Sequence, residues 1–312
     1  MPPNSNPFEK ALARGSPVVL DGGLATELEA QGFDIGTKLW SAGLLQSNPE
    51  AIVAAHLAYL EAGAEIIISA SYQASHIGFG SIGLSERKAD ELIANAVELA
   101  CAARQQYLEA YPETSFTPIV AASIGPYGAA MHDGSEYTGD YKVDEDVLRE
   151  FHEGRLRLLD QSGADVIACE TIPNHLEARV LRDLLAQVDS PAWVSFSCFD
   201  KRCISDGTSL QEVSKDFRDH PRVLALGINC TAPHLITSLI GEIKQAAPEK
   251  AIIVYPNSGE TYEVEDNSWH GTVSQDESAE ELKNWLNAGA KIVGGCCRIG
   301  PRHISAIRNA LR

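Results

Sequence analysis

The chain has 312 residues, of which 44% are hydrophobic and 22% charged, so it can bury a large core and is not a disordered protein. Its formal net charge of −18 argues against a nucleic acid or an anionic membrane as partner, because both require clustered lysine and arginine. No apolar run approaches the length of a membrane span, and the first residues lack the pattern of a secretory signal. Seven cysteines without a short-range framework indicate a reducing compartment, so we expect a cytoplasmic protein.

Strand-like and helical patterns alternate along almost the whole chain after a short lead-in, residues 1–16, which we expect to be loosely ordered. Eight apolar, strand-like runs span 18–23, 65–73, 118–128, 165–173, 192–200, 223–230, 251–259 and 291–297. Eight helical patterns span roughly 48–62, 85–109, 144–162, 175–187, 208–219, 233–247, 278–288 and 301–311. Eight such pairs predict a single-domain α/β fold, the (β/α)8 TIM barrel, and the length of the chain is normal for it.

The junctions between helices and strands support this prediction. The segments "YLEAGAEIIISASYQ", "LLDQSGADVIACETIP" and "WLNAGAKIVGGCC" each run from a helix end through Gly-Ala into an apolar strand. Glycine suits the end of a helix, and the β-branched run suits a buried parallel strand. A doubly wound open sheet is the alternative. It would need no eighth repeat and would more often show a G-x-G-x-x-G turn after a strand, which this sequence lacks.

A barrel places its active site at the carboxyl ends of the strands. The polar or sulfur-bearing residues at those ends are Asp21, Tyr72, Gln73, Tyr127, Glu170, Cys230, Tyr255, Asn257, Cys296 and Cys297. No lysine ends a strand, which disfavours a Schiff-base enzyme, and no histidine cluster indicates a hydrolytic metal site. The remaining histidines, such as His56, are expected to be scattered and solvated.

The cysteines are the most informative of these residues. Cys230 ends the sixth predicted strand, and the vicinal pair Cys296-Cys297 ends the eighth, so both strands have the seventh as a neighbour and their ends are within reach of one ion. Gly294 and Gly295 supply the backbone freedom and close approach needed to aim both vicinal sulfurs at one point. Three thiolates with no obvious fourth ligand suit catalytic zinc with one open position.

Other interpretations of these residues remain open. The vicinal cysteines could form a redox disulfide, or the glycine pair could bind phosphate, as loops after strands seven and eight often do in barrels. Asp21 and Glu170, as carboxylates at a barrel mouth, need a cationic partner, which is either a substrate ammonium or sulfonium or a neighbouring arginine or lysine. Asn229 and Asn257 could bind substrate or only fix turns.

Several longer motifs together resemble those of homocysteine S-methyltransferases. The matching stretches are "LDGGLATELEAQG", "SASYQAS", "GPYGAAMHDGSEYTGDY", "ACETIPN", "GINC", "YPNSGE" and "GGCCRIGP", which cover the chain from about Val18 to the C-terminus. The combination of "GINC" with "GGCC" is typical of the zinc-dependent thiol methyltransferases. "SYQAS", "GSEYTGDY" and "YPNSGE" resemble the branch that uses S-methylmethionine or S-adenosylmethionine.

The resemblance implies a barrel in which Cys230, Cys296 and Cys297 hold Zn²⁺, and in which Asp21 and Glu170 help bind the amino-acid end of homocysteine. Trp40 and Tyr72 are the candidates for the donor site. The implied reaction is methyl transfer from a sulfonium to the thiolate of homocysteine, forming methionine. A free thiol with a pKa of about 8.5 is mostly protonated at pH 7, which is why metal binding matters. The competing interpretations are a methylase for selenocysteine or another small thiol, and a redox sensor without turnover.

The methyl donor is expected to be a small diffusible molecule. Eight βα units account for the chain, which leaves no second domain to present folate or cobalamin. The mouth is expected to be negative, with an aromatic rim of Trp40, Tyr72, Tyr127 and Tyr255 that favours a cationic methyl group through cation–π contact. The partners expected are therefore small molecules, neither nucleic acid nor membrane, with S-methylmethionine preferred over S-adenosylmethionine.

Overall fold

The eight predicted strands form one parallel barrel. The computed structural model describes residues 6–35, 41–131, 133–259, 261–263, 268–270 and 275–311. The strands are β1 (Val18–Val19), β2 (Ile66–Ile68), β3 (Ile119–Ile124), β4 (Val166–Ile172), β5 (Ala192–Phe196), β6 (Val223–Asn229), β7 (Ala251–Tyr255), β8 (Thr261–Glu263), β9 (Ser268–His270) and β10 (Ala290–Val293). Strands β8 and β9 pair as a separate antiparallel hairpin, and the other eight strands build the barrel.

The barrel closes between its first two strands. Parallel pairing runs in the order β1-β10-β7-β6-β5-β4-β3-β2. A parallel bridge between Leu20 and Ile66 joins the two ends of this order, supported by the Glu65 N–H, which donates to the Val19 carbonyl oxygen at 2.7 Å. The predicted (β/α)8 TIM barrel is therefore confirmed.

In the described ranges, eight helices cover the outside of the barrel, close to the predicted positions. They are α4 (Pro49–Glu61), α6 (Glu86–Ala110), α8 (Glu145–Asp160), α9 (His175–Leu185), α10 (Leu210–Lys215), α11 (Pro233–Ala246), α12 (Gln275–Ala288) and α13 (Pro301–Ala310). Side-chain oxygens cap several of their N-termini: Ser85 accepts from the Lys88 N–H, and Asp144 accepts from the Val147 N–H. No helix in the described ranges is long and apolar enough to cross a membrane.

Shorter elements are inserted after the first three strands. They are α2 (Leu24–Ala30) and α3 (Ser41–Ser47) after β1, α5 (His76–Ser81) after β2, and α7 (Tyr127–Met131) and a 3₁₀ helix (Ser135–Tyr137) after β3. All of them follow the carboxyl ends of strands, so they surround the mouth of the barrel.

The lead-in to the barrel contains a helix, although its sequence predicts a loosely ordered segment. Residues Pro7–Ala13 form α1, whose Asn6 cap accepts a hydrogen bond from the Phe8 N–H. Phe8 is fully buried, and its ring lies 5.7 Å from that of Trp193 inside the barrel. Helix α1 therefore plugs the amino-terminal end of the barrel, opposite to the mouth.

Two apolar layers surround the strand walls. The inner layer fills the barrel with residues such as Ile66, Ala121, Ala168 and Trp193, and the outer layer lies between strands and helices. His56 of α4 belongs to this buried region instead of being solvated, and burial lowers its pKa to about 4.

Replacing Gly227 of β6 would test how tightly the barrel wall is packed. A Cβ at this position would collide with the carbonyl oxygen of Ile253 on the neighbouring strand β7. We expect Gly227→Ala to destabilise the protein by about 1–3 kcal/mol, because backbone atoms of a barrel wall cannot move aside. Gly241→Ala is the matched control: its Cβ would meet nothing within 4 Å on α11, so a gain of about 0.5–1 kcal/mol is expected. Thermal unfolding would reveal both signs, and equal melting temperatures for the two variants would contradict this packing.

Candidate metal centre and barrel mouth

Three cysteine sulfurs converge at the barrel mouth. Cys230 directly follows β6, and Cys296 and Cys297 lie in the loop after β10. The Sγ atoms of Cys230 and Cys296 lie within disulfide-bonding distance of each other, and each lies 3.9 Å from the Sγ of Cys297. All three sulfurs lie within 4.8 Å of one another, and the three residues are half-buried. The sequence-predicted trio is thus brought together at one point.

Left-handed backbone conformations turn the chain at these strand ends. The non-glycine residues with positive φ in the described ranges are Thr171 (φ 60°), Cys230 (φ 45°) and Arg298 (φ 66°). Each of them is a predicted site residue or directly follows one. A left-handed residue interrupts the alternation of a strand, so Cys230 leaves the pleat of β6 instead of continuing it. Such conformations cost of order 1–3 kcal/mol each, and they cluster at functional sites.

Close approach of two glycine-containing loops places the vicinal cysteines. A Cβ at Gly23 would lie 2.7 Å from the carbonyl oxygen of Cys296, and a Cβ at Gly22 would collide with that of Ile299. Gly294 is equally tight, because its Cβ would lie 2.7 Å from the Asp21 carbonyl oxygen. The "LDGG" and "GGCC" segments therefore pack backbone against backbone, which only glycine permits.

The donor set fits a thiophilic metal ion. Burial raises the pKa of the Cys297 thiol to about 11, and the charges of Glu136 and Glu170 raise it further, although Tyr137 lowers it by hydrogen bonding to the sulfur. A thiol in this environment stays protonated at neutral pH unless a cation displaces its proton. Three sulfurs, with no fourth protein ligand within reach in the described part of the chain, match the ligand number of a catalytic zinc site.

Glu170 lies in a polar layer at the top of the barrel interior. On β4 it shares the inward face with Val166 and Ala168, so strand alternation points its side chain into the mouth. The Ser123 hydroxyl donates to Glu170 Oε1, and Tyr255 also hydrogen-bonds to this carboxyl group. Burial raises the pKa of Glu170 to about 7, although these two hydrogen bonds lower it.

Asp21 supplies a second buried acid beside the cysteines. Its Oδ2 accepts a 2.7 Å hydrogen bond from the Ile68 N–H, whereas Oδ1 is buried with no hydrogen-bond partner among the described residues. Burial raises the pKa of Asp21 well above its usual range, and the charge of Glu170 raises it further. Two buried carboxyl groups that repel each other, one with a free oxygen, can bind a cation strongly.

Asn229 supports the strained turn next to Glu170. Its Oδ1 accepts from the Thr171 N–H at 2.8 Å, and its Nδ2 donates to the Thr171 hydroxyl at 2.6 Å. The Ser195 hydroxyl also donates to Asn229 Oδ1, and it lies 2.5 Å from the Tyr255 hydroxyl. The Asn229 amide therefore connects the turn at Thr171 to the same polar layer that holds Glu170.

Three further residues were predicted from the sequence to bind substrate: Tyr72, Asn257 and Trp40. Tyr72 is half-buried; burial raises its pKa, as does the charge of Glu136, and it hydrogen-bonds to Thr171. Asn257 is half-buried, and its Oδ1 accepts from the Gly259 N–H, as in a turn. Trp40 lies outside the described residues.

Two of the four aromatic residues expected at the rim, Tyr127 and Tyr255, point elsewhere in the structure. Tyr255 is 1% exposed, and its hydroxyl accepts a hydrogen bond from Trp193 inside the barrel. Tyr127 packs edge-on against Tyr141 and Phe151, towards the outer helices. Strand alternation explains Tyr255, which shares its inward face with Ile253.

Two further residues of the mouth, Glu136 and Tyr137, are not among the sequence-predicted site residues. Both lie on the 3₁₀ helix after β3, inside the quoted motif "GSEYTGDY". Tyr137 hydrogen-bonds to Cys297, and the Glu136 charge raises the pKa of both Cys297 and Tyr72. The motif itself was the available signal, but a loop has no periodicity that would show which of its side chains face the site.

Known proteins with similar sequences and structures include methyltransferases. Residues 18–311 match the family described as homocysteine S-methyltransferase. The homocysteine S-methyltransferase YbgG of Bacillus subtilis is 45% identical over 97% of this chain and 96% of its own length. The metallated form of the homocysteine methyltransferase MmuM of Escherichia coli superposes with a TM-score of 0.88 at 41% identity, covering 97% of this chain and 99% of that one.

A relative with a different named acceptor is nearly as similar. The selenocysteine Se-methyltransferase of Brassica oleracea var. italica is 42% identical over 95% of this chain and 89% of its own length. Identity of this degree over nearly the full length, together with the family match, establishes the family. The chain therefore belongs to the homocysteine S-methyltransferase family.

Proposed function

We propose that this enzyme transfers a methyl group from S-methylmethionine to the sulfur of homocysteine, with Cys230, Cys296 and Cys297 holding a zinc ion. The observation that supports this most directly is the convergence of three sulfurs beside the buried acids Asp21 and Glu170. The family supplies the acceptor and the methionine product. The metal and the donor are the parts that this proposal adds.

Zinc suits the three sulfurs because thiolates select soft or borderline metals, and because a set of three leaves one position for a substrate. When bound, the ion would make the homocysteine sulfur nucleophilic at neutral pH by favouring its thiolate form. The cytoplasm is the compartment that we propose, since its reducing conditions keep all three ligands as thiols.

Asp21 and Glu170 bind the ammonium group of homocysteine in this proposal. Both side chains are more than nine-tenths buried, and the free Oδ1 of Asp21 is available to a donor. An ammonium group offers three N–H donors and one positive charge, so it satisfies both carboxyl groups better than water could. The protein thereby orients the acceptor sulfur towards the cysteine trio.

The charge of the mouth favours a cationic donor; because betaine is cationic too, the choice of a sulfonium rests on the motifs "SYQAS", "GSEYTGDY" and "YPNSGE". Asp21, Glu136 and Glu170 are all buried around the cysteines, whereas no buried lysine or arginine pairs with them in the described ranges. A cationic sulfonium donor is attracted to such a mouth, and an anionic donor such as a folate is repelled.

Replacing a metal ligand tests the centre itself. We expect Cys297→Ser to lose bound zinc and methyl transfer together, because a hydroxyl is a much poorer ligand than a thiolate for this ion. Elemental analysis of the purified protein and methionine formation are the two measurements. Cys203→Ser, in the loop after β5, is the matched control and keeps both. Full turnover by a zinc-free Cys297→Ser protein would rule out the metal mechanism.

Replacing the inward-facing acid of β4 tests acceptor binding. We expect Glu170→Ala to raise the KM for homocysteine about 10- to 100-fold, the cost of losing a charge-assisted hydrogen bond. Zinc content stays close to that of the unaltered protein, because Glu170 is not one of the ligands. The exposed Glu145→Ala is the control, with an unchanged KM. Loss of zinc as the main effect would instead make Glu170 a ligand or a support of the metal.

Donor competition tests the remaining part of the proposal. With zinc-loaded protein and homocysteine, we expect S-methylmethionine to serve best, S-adenosylmethionine less well, and betaine or methyltetrahydrofolate poorly. The neutral thioether that leaves a sulfonium is a good leaving group, and its binding to the acidic mouth weakens once the charge is lost. Methionine formation with each donor is the measurement, and faster formation from betaine would refute the assignment. Parallel assays with selenocysteine would show how strictly the acceptor is selected.

A further inference from the structure

A third buried acid stands at the mouth, apart from the pair that is assigned to homocysteine. Glu136 is 8% exposed, and its Oε2 is buried with no hydrogen-bond partner among the described residues. It reaches the mouth from the 3₁₀ helix after β3, whereas Asp21 and Glu170 project from strand ends. The homocysteine site does not use this acid, so its position needs a separate explanation.

The 3₁₀ helix is fixed above the cysteines by contacts on several sides. Tyr137, the next residue, hydrogen-bonds to the Cys297 side chain. The Ser197 hydroxyl, after β5, donates to the Glu136 carbonyl oxygen at 3.4 Å. A Cβ at Gly128 of α7 would lie 2.5 Å from the Glu136 nitrogen, so α7 packs tightly against this backbone. The carboxyl group is therefore held beside the metal centre by a rigid loop.

Glu136 lacks a cationic partner within the described part of the protein, where none of the ion pairs includes it. The buried Glu65, in contrast, is paired with two cations, because its carboxylate oxygens bond Arg14 and Arg308. Burial raises the pKa of Glu136 to about 7, as expected for an acid without such a partner. A carboxylate placed in this way is a site for a cation that arrives with a substrate.

Both substrates of the proposed reaction are amino acids, and each carries an ammonium group. The acceptor ammonium is assigned to Asp21 and Glu170, which leaves the donor ammonium without a partner. The sulfonium charge of the donor is a poor match for Glu136, because this charge disappears during transfer. A carboxylate that stabilised it would favour the ground state over the transition state and slow the reaction. The ammonium charge persists throughout, so binding it costs nothing in the chemical step.

We propose that the Glu136 carboxylate binds the ammonium group of an amino-acid sulfonium donor and so selects S-methylmethionine over methyl donors without that group. Donor and acceptor then approach the cysteine trio from two separate acidic positions. Glu136 is a specificity-determining residue in this arrangement, since it touches the donor away from the reacting sulfur.

This inference rests on the proposed function, and the substitution Glu136→Gln tests it with zinc-loaded, full-length protein. Two donors are compared: S-methylmethionine, and a dimethylsulfonium carboxylate of similar chain length without the amino group. We expect the KM for S-methylmethionine to rise about 10- to 100-fold, the loss of one charge-assisted hydrogen bond. The kcat, the KM for homocysteine and the zinc content stay within about twofold.

The second donor separates an effect on the ammonium from an effect on the sulfonium. Its kcat/KM, or its inhibition constant if it turns over slowly, is expected to be the same in both proteins. Calorimetric titration of S-methylmethionine in the absence of homocysteine gives a binding readout that does not depend on turnover. Asp140→Asn is the control, because it removes an exposed charge from the same loop and leaves all constants unchanged.

Three results would overturn the inference. If Glu136→Gln lowers kcat/KM equally for both donors, Glu136 acts on the sulfonium or on the structure of the site, and not on the ammonium group. If it raises the KM for homocysteine, Glu136 belongs to the acceptor site. An unchanged KM and affinity for S-methylmethionine in Glu136→Gln would show that this acid binds no donor. If the unaltered protein methylates homocysteine from no sulfonium at all, the proposed function fails first, and that failure is visible before any variant is made.

Discussion

The site depends on the close approach of two backbone segments at the barrel mouth. The loop after β1 packs through Gly22 and Gly23 against the loop that carries Cys296 and Ile299, with no space for a Cβ between them. This contact brings the vicinal cysteines back towards Cys230, whose left-handed conformation turns its own side chain out of the pleat of β6. Parallel pairing of β1 with β10 places these two loops side by side, so the fold and the metal centre share one constraint.

A polar layer on top of the apolar barrel interior gives the site its electrostatics. The inward-facing residues are apolar at the middle of the strands and polar at their carboxyl ends. The polar ones are Ser123, Glu170, Ser195, Asn229 and Tyr255. Hydrogen bonds connect them into one network, which fixes the Glu170 carboxyl group and supports the strained turn at Thr171. The network also explains why Glu170 can be buried beside the cysteines without a permanent cation: hydrogen bonds orient its carboxyl group, and burial favours the protonated form until a cation binds.

Much of this architecture could be predicted from the sequence, because the signals were periodic or local. Apolar runs and Gly-Ala junctions identified all eight barrel strands, and the spacing of strand ends brought the three cysteines together. The elements that were missed have no such period. Helix α1 contributes only Phe8 and Ala11 to the core, and two apolar positions are too few to predict a helix from periodicity. Glu136 lies on a loop, and the inward direction of Tyr255 depends on strand register, which is a property of the closed barrel.

In the proposed reaction, the acids that attract the substrates would also help to release the products. Methyl transfer from the proposed sulfonium donor to the thiol of homocysteine would give two neutral thioethers, so one positive charge would leave the mouth in the form of a proton. Asp21, Glu136 and Glu170 lie in a low-dielectric environment, where the loss of one charge weakens binding far more than it would in water. In this proposal the donor and the acceptor each keep an ammonium group, so the acids would still recognise both molecules while their affinity for the products falls. If the donor is a sulfonium, burying acids around a thiophilic centre would thus favour binding before the transfer and dissociation after it.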